Sequence, residues 1–281
     1  MTYYRRSYGG GRNRGGFNKI GLIIALLFAG FSLFKYFSQS QYNEITGETQ
    51  RISLTVEEEI MLGKQSMVQM IRQHGGLHQS EKDRDIVKQV GKRLVDNSIA
   101  RSTQYEYDFH LLADPNTINA FALPGGQCFI TYALYEKLKN MDQLAGVMGH
   151  EIGHVIARHG AERIAKQALT SGLTGAAVIA AGGGGGGEAA QMIAGMVNMK
   201  YGREQELESD DLGIRFMIEA GYDPNQMKGV MKILEEASSG NRQPEFMSTH
   251  PDPGNRMEEI DNSIERYAGK LLTPPKHPND Q

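Results

Sequence analysis

Between Ile20 and Phe37 the chain reads I-G-L-I-I-A-L-L-F-A-G-F-S-L-F-K-Y-F, with no charge before Lys35. A run this apolar has few places to go. About 18 residues at 1.5 Å each nearly cross a bilayer core of roughly 30 Å as a helix. Lys35, Tyr36 and Phe37 suit the far interface, where lysine snorkels and aromatic rings settle. Ahead of the run lie Arg5, Arg6, Arg12, Arg14 and Lys19, with no acid among them. That basic flank predicts the N-terminus inside and the rest of the chain outside. The rival reading is a cleaved signal peptide ending near Ser38-Gln39-Ser40. The long basic arm, and an apolar run beyond the usual roughly 7–15 residues, favour an uncleaved anchor. The expected organisation is a basic, glycine-rich cytoplasmic arm at 1–19 and a transmembrane anchor at 20–37. A polar linker at 38–52, one domain at 53–270 and a disordered tail at 271–281 follow.

The chain of 281 residues, 40% of them hydrophobic, can build one sizeable core. A net charge of -3 carries no basic signature for nucleic acid, and none is expected as a partner. The lone Cys128 excludes an intrachain disulfide and reads as a small buried thiol.

Local patterns place the elements. Thr55-Val-Glu-Glu58 is a capping box that opens a helix to about His74. Ser80 to about Ile99 reads as a second amphipathic helix. Tyr105 to Leu112 alternates as a strand, with His110 inside it in a surface or core role. Two short extended pieces flank a Pro124-Gly125-Gly126 turn. Beyond them the pattern is helical almost to the end. The six glycines at 182–187 cannot hold a helix and predict a mobile surface loop, either a slack linker or a gate.

The chemistry concentrates in G-H-E-I-G-H-V-I-A-R-H-G, Gly149 to Gly160. Leu144, Val147, Met148, Ile152, Val155 and Ile156 recur at helical steps. Asn140 or Asp142 suits the cap, and Gly160 the stop. On that helix His150 and His154 lie one turn apart on one face, so both imidazoles reach one metal ion. Glu151 projects beside them, placed to take a proton from the attacking water. His159, five residues after His154, turns away from the metal and reads as surface.

A catalytic zinc needs a third protein ligand and an open fourth position. The densest source is Tyr201 to Met217, Y-G-R-E-Q-E-L-E-S-D-D-L-G-I-R-F-M. Glu206 and Asp210 are four apart and share a face that Leu207 and Ile214 flank, while Glu208 projects elsewhere. One carboxylate would bind the metal. The other would accept the free N–H of a ligand histidine and fix its tautomer.

H-E-I-G-H followed about fifty residues later by G-R-E-Q-E-L-E-S-D resembles the zinc metallopeptidases of the CAAX-prenyl-protease and HtpX type. N-A-F-A-L-P-G-G, Asn119 to Gly126, and S-T-H-P-D-P-G-N-R, Ser248 to Arg256, are similar to two further family segments. The nearest subgroup is the single-domain one that includes BepA, LoiP and the mitochondrial Oma protease. Gly202 stands for the usual serine and Ser209 for the usual alanine. The resemblance implies one Zn2+ per chain on His150, His154 and Glu206, with Glu151 as general base and Asp210 as the partner of a ligand histidine. It implies a substrate-side edge strand at Asn119 to Gly126, with Asn119, Ala120, Gly125 and Gly126 as candidate substrate contacts. His250 carries two readings, an oxyanion donor or a cap on the open zinc position.

The expected fold is α+β: a mostly helical, zincin-like (gluzincin) metallopeptidase domain with a small β-sheet behind an N-terminal transmembrane helix. The expected activity is zinc-dependent endopeptidase action on misfolded or unassembled envelope polypeptides. The alternative is a chaperone-like assembly factor whose peptidase site is mostly latent. The expected location is the bacterial inner membrane, single-pass, with the peptidase domain in the periplasm; the mitochondrial intermembrane space is the other compartment. The sequence leaves the oligomeric state open.

Overall fold

The computed structural model describes residues 19–180, 200–238, 244–252 and 254–272. The six-glycine run, most of the basic arm and residues 273–281 of the expected tail lie outside the described residues. The chain opens with α1, Lys19–Ser38, whose apolar side chains are mostly exposed. It is long and apolar enough to cross a membrane.

Residues 38–52, expected as a polar linker, have structure of their own. They hold a short antiparallel hairpin, β1 (Gln41–Tyr42) with β2 (Thr49–Gln50), and Gln50 and Ile52 are buried. The hairpin is fixed from the far side of the sequence. The side-chain amide of Asn43 donates to Ile156 O at 2.7 Å, and that of Gln50 donates to Ala157 O. A helix leaves its last carbonyls without internal partners, and these two amides satisfy them.

Two helices follow, α2 (Val56–Gln73) and α3 (Glu81–Asp96). The capping box at α2 forms as expected: Thr55 Oγ1 accepts from Glu58 N, and a Glu58 carboxylate oxygen accepts from Thr55 N at 2.8 Å. The main sheet has strand order β3-β5-β4, from β3 (Asp108–Leu112), β4 (Ala120–Leu123) and β5 (Gln127–Thr131). β4 and β5 form the antiparallel pair around the Pro124-Gly125-Gly126 turn, and β3 pairs parallel with β5. That leaves β4 at an edge. His110, on β3, is buried and bonded to Gln127 at 3.0 Å.

Beyond the short α4 (Tyr132–Tyr135) lie α5 (Met141–Ile156) and α6 (His159–Ala180). Then come α7 (Arg203–Glu219), α8 (Gln226–Ser238), α9 (Glu245–Thr249) and α10 (Arg256–Leu272). Asn140 caps α5, its side chain accepting from Gln143 N at 2.9 Å. All but the first two residues of α5 are buried, so this helix is the spine of the core. It lies against α7 at a distance only glycine allows. A Cβ on Gly153 would sit 2.8 Å from Ser209 O, and one on Gly213 would sit 3.0 Å from His150 N. Backbone contact of this kind brings the face of α7 directly onto the histidines of α5.

Gly160 is not the stop of that helix. α5 ends at Ile156, and the reversal falls at Arg158, whose φ is +53°, in the left-handed region that non-glycine residues rarely adopt. Its guanidinium holds it there: Nε donates to Glu59 Oε1 at 2.8 Å, and Nη2 to Leu54 O at 2.9 Å. Both members of the ion pair are buried. Burial pushes Glu59 up to about 7, against the pull of Arg158. Removing one partner of a buried pair strands the other charge. Arg158→Ala is therefore expected to lower stability by about 3–5 kcal/mol in urea unfolding of the detergent-solubilised chain. A loss under about 1 kcal/mol would put the pair in the class of exposed ion pairs.

Candidate metal centre

Four side chains from three segments converge. His150 and His154 come from α5, Glu206 from the first turn of α7, and His250 from the residue after α9. One ligand atom from each lies within 4.8 Å of all the others, and all four residues are buried. The distances are those of a shared centre. His154 Nε2 lies 3.0 Å from His150 Nε2 and 3.4 Å from Glu206 Oε1. His250 Nδ1 lies 3.0 Å from Glu206 Oε1, 3.2 Å from His154 Nε2 and 3.3 Å from His150 Nε2.

The outer nitrogens of the α5 histidines are tied down. His150 Nδ1 donates to Asp210 Oδ1 at 2.8 Å, which leaves its Nε2 lone pair aimed into the group. Asp210 is in turn held by Arg256, whose Nη2 donates to Asp210 Oδ1 at 2.8 Å. Burial alone would raise the Asp210 carboxyl; Arg256 and the His150 bond outweigh it and hold the group below its usual range. The same contest is decided the same way at Glu206, where His250, His154 and His150 overcome burial. Burial keeps His154 well below the usual histidine range, in the neutral form a metal ligand needs.

His159 is the clearest departure from the sequence reading. It is not on the surface but 1% exposed, with Nδ1 2.8 Å from His154 Nδ1. The bend at Arg158 is the reason. On a continuous helix the fifth residue onward faces away, but the chain turns first and brings His159 back. Its Nε2 donates to Glu208 Oε2 at 2.9 Å, so Glu208 reaches the centre through His159. Tyr201 stacks on His154, centroids 3.7 Å apart, and Phe246 stacks on His250 at 4.4 Å.

Glu151 is 0% exposed beside the group, and neither carboxylate oxygen has a hydrogen-bond partner among the described residues. Burial pushes it up to about 8, with His150 opposing and Glu206 adding. An acid left unsatisfied in the interior is costly, and such sites are where proton transfer is carried out.

The candidate substrate strand is present but covered. Asn119 and Ala120 are both 0% exposed. Phe246 N donates to Ile118 O at 3.1 Å, and Asn119 Nδ2 to Glu245 Oε1 at 3.4 Å. The segment that carries His250 thus also sits on the start of β4. Gly125 and Gly126 serve the turn: both have positive φ, and a Cβ on Gly125 would sit 2.4 Å from Ile60 Cα on α2. They face α2 and the Glu106–Tyr107 backbone, not the histidine group. Cys128 is buried, and burial pushes its thiol up, away from the reactive thiolate.

Arg256, Tyr201 and His159 lie within the motif segments of the sequence, and Phe246 lies two residues before Ser248. Their roles depend on partners far along the chain, so spacing alone does not reveal them.

Two helix-borne histidines, a carboxylate from a further helix and a buried glutamate 3.8 Å from His250 Nε2 are the parts of a metallopeptidase centre. Peptidase family M48 matches residues 81–264, and the chain belongs to that family. It is 27% identical to the mitochondrial metalloendopeptidase OMA1 of Schizosaccharomyces pombe, over 85% of this chain and 70% of that protein. It is 32% identical to the beta-barrel assembly-enhancing protease of Escherichia coli K12, over 63% of this chain and 38% of that one. The bovine mitochondrial metalloendopeptidase OMA1 is 26% identical over 86% of this chain. The chain spans 48% of the bovine protein, so much of the length of two of these relatives lies outside the match. The resemblance to metallopeptidases of this type is borne out.

Proposed function

We propose that the chain is a membrane-anchored zinc endopeptidase that cuts misfolded or unassembled polypeptides and rests in a closed state. The observation that carries this reading is the convergence of His150, His154, Glu206 and His250 in a buried group beside Glu151, whose carboxylate makes no hydrogen bond among the described residues. Two imidazoles and one carboxylate suit zinc, with one further position for substrate. His150, His154 and Glu206 would hold the ion. Zinc so held supplies a Lewis acid that polarises the scissile carbonyl and acidifies the attacking water.

The remaining steps belong to the chain. Glu151 takes the proton from the attacking water and passes it to the leaving amine. Asp210, fixed by Arg256, keeps His150 in one tautomer, and His159 does the same for His154. Once uncovered, the outer edge of β4, from Asn119 just ahead of it and Ala120 at its start, would take an extended peptide whose main chain adds as a further strand. His250 caps the group at rest. Because the segment made of α9 and the following His250 lies on the start of β4, one movement of that segment would free both the edge and the substrate position. Edge pairing reads backbone, so it favours extended segments of unfolded chains. Quality control of envelope proteins follows, with the peptidase domain in the bacterial periplasm; the OMA1 relatives keep the mitochondrial intermembrane space as the alternative. A second reading, an assembly factor with a mostly silent peptidase, draws its support from the same closure.

Metal analysis tests the ligand set. The full chain is expected to bind one zinc, and His150→Ala to lose it. Glu206→Gln should weaken zinc by more than the roughly 10–100-fold typical of removing an outer partner, which is the loss expected for Asp210→Asn. Glu204→Gln should change nothing, because Glu204 is exposed. Equal effects at Glu204 and Glu206 would place the third ligand elsewhere.

A further inference from the structure

α6 does more than follow the metal helix. It packs along α1, and the two leave the domain side by side. The less exposed positions of α1 are Gly21, Ala25, Ala29, Ser32 and Tyr36, one stripe at helical spacing. Those of α6 that match are Ala165, Leu169, Gly172 and Ala176. The contact is close: a Cβ on Gly172 would sit 2.5 Å from Ser32 Oγ.

That contact fixes the relative heights of the two helices. From Ser32, Lys35 lies three residues nearer the domain, about 4.5 Å at 1.5 Å per residue. From Gly172, Lys166 lies six residues nearer the domain, about 9 Å. Charge therefore ends on both helices at levels within about 5 Å of each other. Beyond that level neither Ile20–Phe34 of α1 nor Gln167–Ala180 of α6 holds a charged residue. Glu162, Arg163 and Lys166 all stand on the domain side. Of the four hydroxyls beyond the boundary, two bond back onto their own helix: Ser32 Oγ donates to Phe28 O and Thr170 Oγ1 to Lys166 O, each at 2.9 Å. Hydrocarbon demands such internal bonding, and water does not. Leu173 is 37% exposed, and Leu27 and Phe31 of α1 are 70% and 63% exposed.

We propose that the second half of α6, Gln167–Ala180, enters the lipid bilayer beside α1, so that two helices and not one hold the domain to the membrane. This rests on α1 spanning the bilayer. At 1.5 Å per residue the described part reaches about 21 Å, some two-thirds of a core of roughly 30 Å. The consequence falls on the active centre. His159, bonded to His154, is seven residues before Lys166, so it stands only about 10 Å above the charge boundary. The centre is pinned at the membrane surface, and the substrates it can reach are polypeptide segments lying on, or emerging from, that surface.

The chain has no tryptophan, so one introduced residue reports alone. The full chain carrying Leu173→Trp is placed in phosphatidylcholine vesicles with and without brominated acyl chains. Leu27→Trp reports on α1, and Met257→Trp, on α10, reports on the domain. Thr174→Trp serves as a second α6 reporter, and circular dichroism matching the unsubstituted chain marks a folded variant. Brominated lipid is expected to remove most of the emission of Leu173→Trp and Thr174→Trp, as for Leu27→Trp, and to leave Met257→Trp bright. Bright α6 reporters with a quenched Leu27→Trp would overturn the insertion of α6 and leave the anchor standing. Bright reporters on both helices would overturn the anchor as well.

Discussion

Glu151→Gln is expected to leave zinc bound and to lower peptide hydrolysis by about 10²–10⁴-fold, the range for losing a positioned general base. Glutamine keeps the size and planarity of the side chain but cannot take a proton. The metal group keeps its ligands, because Glu151 makes no hydrogen bond within the described residues and stands 3.8 Å from His250 Nε2. The site holds the carboxylate at 0% exposure, where burial pushes it up to about 8. Such a group is a poor structural anion and a good proton carrier near neutral pH. Casein cleavage and metal analysis on one preparation check the prediction. A variant that cuts at the normal rate would remove Glu151 from the mechanism. A variant that loses its zinc would make Glu151 part of the binding set. The same substitution separates the two functional readings: if it still rescues a deletion strain, the assembly role and not cleavage is what the cell needs.

What could be read from the sequence was whatever is encoded within a turn or two of helix. The capping box at Thr55 and the cap at Asn140 need only neighbours, and both formed as written. The pairing of Glu206 with Asp210 on one face needs only the helical period, and both side chains reach the group. Sequence pattern and structure part where the deciding partner is distant. The bend that returns His159 to the centre is held by Glu59, 99 residues away from Arg158. The hairpin at 41–50 reads as a linker in sequence because its anchors are carbonyls at Ile156 and Ala157, more than 100 residues on. Polar residues such as Asn43 and Gln50 carry no periodic signal, so nothing local distinguishes a docked strand from a loose one. The glycines of G-H-E-I-G-H were legible as composition but not as contact. Only the facing backbone of Ser209 and Gly213 explains why a larger residue would push the carboxylate helix off the histidines.

His250→Ala is expected to raise the basal cleavage of a flexible substrate. The argument is one of occupancy. His250 Nδ1 lies 3.0–3.3 Å from Glu206, His150 and His154, which places its ring where a fourth ligand would stand. Phe246 stacks on the same ring, and α9 closes over the start of β4, so the ring is held in and not merely passing. On the proposed mechanism a substrate carbonyl displaces it. If the cap favours the closed state by about 1–3 kcal/mol, removing it raises the open fraction by about 5–150-fold. The rival role makes the opposite prediction. An imidazole that donates to the oxyanion contributes only in the transition state, and its loss would lower turnover by roughly 10²–10³-fold. The remaining ligands would still bind zinc in either case, so metal content does not separate the two and rate does. Casein cleavage by the wild-type chain and by His250→Ala, side by side, decides. A rise supports the closed resting state, a fall of that size replaces it with oxyanion donation, and an unchanged rate leaves His250 as packing for Phe246 and Tyr201 alone.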